Sequence, residues 1–376
     1  MDGQRPKLLF LVTEDWYFCS HRLPLACAAR DAGFEVSVAT RVRSHGGQIT
    51  AAGLRLIPLG LQRSSRNPLR ELAAINEIAR IYRRIAPDIV HHVAMKPVLY
   101  GSVAAKLAGV PIVVNALAGM GYVFTSHKLS ARLLRPFITL SLRFLLKNGR
   151  VILQNPDDRA ALIKAGVLKP EQVTLIRGSG VDTTLFQFTP EPDGTRPLVV
   201  LPARMLWDKG VGEFVAAAGA LKQDGVEARF VLAGERDPDN PADIPLEQLQ
   251  AWHESGNVEW LGKQENMLAL LAQANIVCLP SYREGLPKAL LEAASCGRAI
   301  VATNVPGCRE AVRHHENGLL VPARDATALA AALRLLIENP ALRRQFGLRG
   351  REMAEQEFSI EKITTETLAL YRKLLP

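Results

Sequence analysis

The feature that most constrains this chain is a rhythm. Short, almost uninterrupted apolar runs alternate with longer amphipathic stretches, and the whole pattern runs twice. The first set of runs is Lys7–Val12, Phe34–Ala39, Leu54–Pro58, Ile89–His92, Ile112–Asn115, Val151–Leu153 and Val173–Ile176. Strands apolar at successive positions are covered on both faces, as in a parallel sheet. The stretches between them, such as His21–Asp31 before Gly33 and Leu69–Ile85 before Pro87, carry Gly or Pro where a helix should stop. Such alternation predicts a doubly wound α/β sheet. A second set then follows: Leu198–Leu201, Arg229–Leu232, Val258–Leu261, Ile276–Leu279, Ala299–Ala302 and Leu319–Val321. The fold class expected is α/β, with two doubly wound parallel-sheet domains facing across a cleft. A length of 376 residues fits two domains. Their expected extents are 1–178, a Gly- and Pro-containing linker over 179–196, 197–356, and a C-terminal helix over 357–376 with the option of crossing back to the first domain. Ligands of such sheets sit at the carboxyl ends of the strands.

Composition removes other classes. Hydrophobic residues at 48% and charged residues at 22% exclude disorder and collagen. Five scattered cysteines, with no Cys-x-x-Cys, point to neither a disulfide framework nor a zinc ribbon. Leu8–Val12 is too short for a signal-peptide core, and no apolar stretch is long enough to span a membrane. A cytoplasmic location is expected. The net charge of +9 is uneven: residues 1–188 hold 25 Lys and Arg against 12 Asp and Glu, and the rest hold 21 against 25. No acid occurs between Asp88 and Asp157. That field attracts phosphate-rich partners. Within it, residues 127–150 read as a basic amphipathic stretch with Pro136 as a kink or break. It fits either a core-packed helix with a solvated face or contact with an anionic membrane surface.

Two segments carry chemistry. In Pro280-Ser-Tyr-Arg-Glu-Gly-Leu-Pro-Lys-Ala-Leu-Leu-Glu-Ala, a buried strand runs into a short loop and a helix starts near Pro287. Backbone N–H groups of Gly285 and Leu286 would face an anion such as a diphosphate. Glu284 precedes the helix and can point at a ligand. Glu292, within the helix, can accept hydrogen bonds from a diol. In Pro202-Ala-Arg-Met-Leu-Trp-Asp-Lys-Gly, Arg204 and Lys209 sit in another strand-to-helix loop, in a half that is otherwise net acidic. Two cations there would neutralise a diphosphate and stabilise it as a leaving group. Taken alone, either set also reads as ordinary surface charge.

The pairing of Arg-x4-Lys-Gly with Glu-x7-Glu, then Thr303-Asn-Val-Pro-Gly-Cys-Arg-Glu and Asn317-Gly-Leu-Leu-Val-Pro, resembles the retaining glycosyltransferases of family 4. These have the GT-B fold of two Rossmann-like domains. The segment Arg177–Phe188 is similar to their Asn-Gly-Val-Asp-x3-Phe hinge, with Ser179 in place of the Asn. Glu14-Asp-Trp-Tyr-Phe-Cys-Ser-His-Arg and Val113-Val-Asn-Ala-Leu-Ala-Gly-Met-Gly-Tyr-Val-Phe-Thr look like members that build lipid-carrier-linked oligosaccharides for bacterial surface polysaccharides and glycoproteins.

The resemblance implies a nucleotide-sugar donor held mostly by the second domain. Arg204 and Lys209 would take the diphosphate, Glu284 the transferred sugar and Glu292 the ribose. Gly285, Leu286 and Pro287 would line the sugar–phosphate site, with Gly234 and Glu235 near the nucleotide. It implies transfer of a hexose or N-acetylhexosamine with retention, no metal and no cofactor. A UDP-sugar donor and a polyprenyl-diphosphate-linked acceptor are expected, with the enzyme peripheral on the inner face of the cell membrane. Relatives carry His-x-His at the end of the fourth strand. Here the second position is Val93, which leaves His92, His91 or neither to act in catalysis. Glu14 and Asp15, in the first strand-to-helix loop, and the Gly-rich loop with Gly119 and Gly121 are candidates for the acceptor side. Alternatives are a GDP-mannose donor or a soluble acceptor, an epimerase or phosphorylase of the same fold, and a nucleic-acid-binding module. No nucleic-acid-binding signature is present, so nucleic acid is not an expected partner.

Overall fold

The computed structural model describes residues 5–61, 67–117, 129–192, 194 and 196–376, with side chains in the helix beginning at Leu129 described from Pro136 onward. The chain forms two compact units, Met1–Ser179 with Ile360–Pro376, and Gly180–Ser359. In unit 1 the elements run β1 (Lys7–Glu14), α1 (Asp15–His21), α2 (Leu23–Asp31), β2 (Glu35–Arg41), α3 (Gly46–Ala51), β3 (Arg55–Pro58), α4 (Pro68–Ile85), β4 (Ile89–Val93), α5 (Met95–Ala108), β5 (Ile112–Leu117), α6 (Leu129–Leu145), β6 (Arg150–Leu153), α7 (Pro156–Lys164) and β7 (Val173–Leu175). Among the described residues the sheet order is β3-β2-β1-β4-β5-β6-β7, with every pairing parallel. Unit 2 runs β8 (Leu198–Pro202), α8 (Val211–Gln223), β9 (Arg229–Ala233), α9 (Leu246–Glu254), β10 (Glu259–Trp260), α10 (Met267–Gln273), β11 (Ile276–Leu279), α11 (Lys288–Ser295), β12 (Ala299–Thr303), α12 (Cys308–Ala311), β13 (Gly318–Val321), α13 (Ala326–Glu338) and α14 (Pro340–Glu357). Its parallel sheet has the order β10-β9-β8-β11-β12-β13. The last helix, α15 (Ile360–Leu374), belongs to unit 1 and packs on α2.

The continuous apolar runs become strands because each feeds two cores. Leu8, Phe10 and Val12 of β1 point into one cluster with Phe18, Leu25 and Tyr371. Leu9 and Leu11 point into the opposite cluster, with Ile78 and Tyr82. In unit 2, Val199 and Leu201 of β8 join one core, and Leu198 and Val200 the other. Successive strand residues alternate faces, so a strand with helices on both sides must be apolar throughout.

Helix ends follow local chemistry. Asn67, Asn155, Asp325 and Asn339 each cap a helix by accepting a backbone N–H, and Pro68, Pro156 and Pro340 occupy first-turn positions. The expected helix over His21–Asp31 is split at Arg22, because Pro24 opens a new helix at Leu23. α6 runs through Pro136 without ending there. Residues 181–191 are tied to unit 2 by three arginines. Arg351 donates to Thr183 O and Phe186 O, Arg298 to Thr189 and Pro190, and Arg343 pairs with Glu191.

Candidate active site

In each sheet the strand order reverses once, between β1 and β4 in unit 1 and between β8 and β11 in unit 2. Loops diverge from such a switch point and leave a crevice beyond the carboxyl ends of the strands. In unit 2 those loops are 203–210 after β8 and 280–287 after β11. Both sequence-selected segments therefore arrive at one place. The loops are locked together: the Tyr282 N–H donates to Asp208 O at 2.9 Å. Gly210 has φ +70, and a Cβ there would lie 2.1 Å from Pro280 O, so only glycine fits.

Glu284 lies at the centre of this crossing. Its Oε1 accepts from Lys209 Nζ at 2.5 Å and from Ser281 Oγ at 2.7 Å. The loop is braced from β12, where Thr303 donates to Ser281 O. The Glu284 N–H donates to Pro306 O at 3.3 Å. A Cβ on Gly307 (φ +83) would strike the Glu284 and Gly285 carbonyls at 2.6 Å. α11 begins at Lys288 behind Gly285, Leu286 and the N-cap Pro287.

Arg204 is engaged elsewhere. It ion-pairs with Asp237, which follows β9. Gly234 makes this approach possible, since a Cβ there would lie 1.8 Å from Ala203 O. Met205 N–H donates to Glu235 O at 2.9 Å, which fixes Gly234 and Glu235 beside the Arg204 loop. Glu292, on α11, pairs with Lys288 at 3.3 Å. Burial pushes its carboxyl above the usual range while Lys288 pulls the other way.

The two cations expected to share one diphosphate thus each hold a carboxylate. Half-buried charges need partners, and the sequence reading missed one of them. Asp237 lies in a loop rich in Pro, Asn and Asp, yet its side chain is only 12% exposed and neutralises Arg204. Glu213 was also missed; it accepts from the Tyr282 hydroxyl at 2.7 Å, while Arg324 stacks 4.4 Å above the Tyr282 ring. The topology carries the signal that finds them: Asp237 follows β9, the neighbour of β8, and Glu213 lies in the first turn of the helix after β8.

In unit 1 the candidate residues are engaged within the fold. His92 is fully buried, with Nε2 bonded to the Tyr82 hydroxyl at 2.9 Å and Nδ1 to Asn115 Oδ1 at 2.8 Å. Burial lowers its pKa to about 4, against a smaller upward pull from Asn115. Both ring nitrogens are thus engaged within the core, and burial keeps the ring neutral. His91 is equally buried on the opposite face. It stacks on Phe10 with centroids 5.2 Å apart and bonds through Nδ1 to the Tyr371 hydroxyl on α15. Burial, then Arg22, then His92 hold it well below the usual range. Asp15 is buried too. Its carboxylate accepts N–H groups of Trp16, Arg43 and His45, each at 2.8 Å, and so pins the loop after β2 to α1. Burial pushes its pKa up, and those three donors outweigh it. Glu14 is 5% exposed and faces Arg43 Nε at 3.1 Å and Arg41 at 3.8 Å. Neither acid is open to an acceptor. Gly119 and Gly121 lie outside the described residues.

Comparison with known proteins gives this geometry a family. A model described as "Glycosyl transferase 4-like" matches residues 7–155, and one described as "Glycosyl transferases group 1" matches residues 182–353. The chain belongs to the family 4 glycosyltransferases. Among similar curated proteins, the glycosyltransferase named N,N'-diacetylbacillosaminyl-diphospho-undecaprenol alpha-1,3-N-acetylgalactosaminyltransferase, from Campylobacter jejuni, is 29% identical over 366 residues, covering 94% of this chain and 95% of its own. Alpha-maltose-1-phosphate synthase of Mycolicibacterium smegmatis is 32% identical, over 55% of this chain and 58% of its own. Among solved structures, sucrose-phosphate synthase from Thermosynechococcus elongatus superposes with a TM-score of 0.82 at 23% identity, covering 98% of this glycosyltransferase and 99% of that chain. Anabaena HepE, solved with UDP and glucose, gives 0.77 at 19% identity, covering 98% and 100%. The fold is GT-B.

Proposed function

We propose that this glycosyltransferase moves a hexose or N-acetylhexosamine, with retention of configuration, from a UDP-sugar to a polyprenyl-diphosphate-linked saccharide. The observation that carries the reading is the Lys209–Glu284 pair at the switch point of unit 2, directly before the start of α11. An incoming diphosphate replaces Glu284 as the anion on Lys209, and Arg204 is released from Asp237 to the same group. Freed, Glu284 turns to the transferred sugar. Gly285, Leu286 and Pro287 line the sugar–phosphate junction, Glu292 takes the ribose hydroxyls, and Gly234 and Glu235 lie by the nucleotide. The Campylobacter relative, which matches nearly end to end and bears a diphospho-undecaprenol acceptor in its name, supports the lipid-linked acceptor. HepE, solved with UDP, supports the nucleotide.

In this chemistry the bond from the anomeric carbon to the diphosphate oxygen breaks while the acceptor oxygen bonds to the same face. The acceptor's proton passes to the leaving phosphate oxygen. Arg204 and Lys209 carry the developing charge, so no divalent ion is required. In this reading neither His91 nor His92, both held in the core, takes part.

The acceptor's lipid places the enzyme at the inner face of the cell membrane, and α6 suits that surface. Leu142, and Leu146 just beyond the helix, are buried in the core, whereas Phe137, Leu140 and Phe144 are 71%, 66% and 68% exposed. Lys106 lies 4.0 Å above the Phe144 ring. The helix therefore has both a core face and an outward apolar face bordered by cations, which fits the interface of an anionic bilayer. Among the described residues, no helix is long and apolar enough to cross a membrane.

A panel of nucleotide sugars, assayed by mass spectrometry with a synthetic prenyl-diphosphate saccharide, tests the reading. Transfer from a UDP-sugar in the presence of chelator, with an α-linked product from an α-linked donor, is expected. Activity only with GDP-mannose, loss with chelator and rescue by Mg²⁺, or change of the donor without any acceptor would overturn the corresponding part.

A further inference from the structure

We propose that Lys96, with Glu71 and Tyr100, forms the seat in unit 1 for the acceptor's phosphate, an assignment that rests on the lipid-linked acceptor reading above. Lys96 lies three residues beyond β4, on one side of the β1/β4 switch point, where the loops of unit 1 diverge. Its Nζ is held by both carboxylate oxygens of Glu71, at 3.1 and 2.9 Å, and lies 5.3 Å from the centre of the Tyr100 ring. The Tyr100 hydroxyl donates to Glu71 as well.

Three observations set this cluster apart from an ordinary surface ion pair. First, the groups are half-buried, Lys96 19% and Glu71 17% exposed, close to Lys209 at 20% and Glu284 at 12% in the donor crevice. Each unit thus holds one lysine just past a switch-point strand, covered by a glutamate from another element. Second, Lys96 stands in the first turn of α5, where the helix dipole disfavours a cation and favours an anion. The lysine is stabilised there only with an anion beside it. Glu71 supplies one from α4, and a phosphate, with more charge and more acceptor oxygens, would replace it. Third, the junction that aims Lys96 is held in an unusual conformation. Ala94 has φ 74 and ψ 166, a region that residues with a Cβ seldom occupy and that persists where the surrounding structure imposes it.

The test uses the full-length enzyme and a short-chain, water-soluble prenyl-diphosphate saccharide without membrane or detergent, so that no lipid headgroup can be the phosphate source. Lys96→Gln is expected to raise the acceptor KM about ten- to a hundredfold, the range of a lost charge-assisted contact, with donor KM unchanged. It should also flatten the salt dependence of the acceptor KM, and Lys96→Arg should recover most of the affinity. Glu71→Gln, which removes the competing carboxylate, should lower the acceptor KM. The assignment is overturned if Lys96→Gln leaves the acceptor KM and its salt dependence intact. It is equally overturned if Glu71→Gln raises the acceptor KM as Lys96→Gln does, since the pair then serves the fold alone; this arm stands even where Lys96→Gln fails to fold. If the wild type glycosylates a soluble saccharide but not the diphosphate acceptor, the acceptor reading fails, and the seat falls with it.

Discussion

Units 1 and 2 have the same parallel-sheet design with one switch point each, yet they use their ionisable residues differently. In unit 2, Arg204, Lys209 and Glu284 all follow a strand end; Lys209 meets Glu284 there, while Arg204 is held by Asp237. In unit 1, His91 and His92 lie inside β4, in register with Phe10 and Leu11 of β1. One residue of offset turns one ring into each core. The difference teaches a positional rule for parallel sheets. A polar residue within the strand faces helices and becomes structural, whereas one past the strand end can face the crevice, unless neighbouring backbone groups claim it as they do Asp15. Lys96, three residues past β4, stands where the rule allows a ligand-facing group, and the two histidines obey it on the core side.

Four expected outcomes would sharpen or break this contrast. The largest concerns unit 2: Glu284→Gln should reduce kcat by about 10²–10³ with an unchanged melting temperature, the size of a lost electrostatic contact to the reacting sugar. Near-normal turnover would remove the crevice from the chemistry. Next, His92→Ala should destabilise the protein by about 3 kcal/mol, through the cavity and the stranded Tyr82 and Asn115 groups. Turnover per folded molecule should persist, and lost turnover at full stability would restore a catalytic histidine.

A smaller effect follows from the same burial. His92 titrates at about 4 when folded, so as pH falls the unfolded chain takes up the proton first. Its contribution is complete above about pH 6.5 and is lost toward pH 4, at up to ~1.4 kcal/mol per pH unit. Denaturant melts across that window check this, and His92→Asn should flatten the slope. A slope unaffected by the substitution would mean that the proton goes elsewhere. The smallest effect is on α6, where replacing Phe137, Leu140 and Phe144 by Ser should reduce sedimentation with anionic liposomes several-fold without shifting UDP affinity. A collapse in stability instead would assign those side chains to the fold.

Much of this was legible in the chain itself. Continuous apolar runs reveal strands covered on both faces, and the Gly and Pro residues of 280–287 mark a loop entering a helix, so the sheets and these strand-to-helix segments could be read directly. Pairings across long stretches of sequence could not. Arg204 finds Asp237 and Lys209 finds Glu284 only because parallel strands bring distant loops to one edge. The facing of His91 and His92 depends on where β4 ends, and a shift of one residue reverses it. Asp15 reads as a cleft carboxylate until the loop after β2 is seen to donate to it.

Calorimetric titration of UDP into the wild type, Lys209→Met and Lys96→Gln probes the division of labour most directly. The account predicts at least tenfold weaker binding in Lys209→Met, with Lys96→Gln indistinguishable from the wild type. Equal UDP affinity in Lys209→Met and the wild type would contradict it.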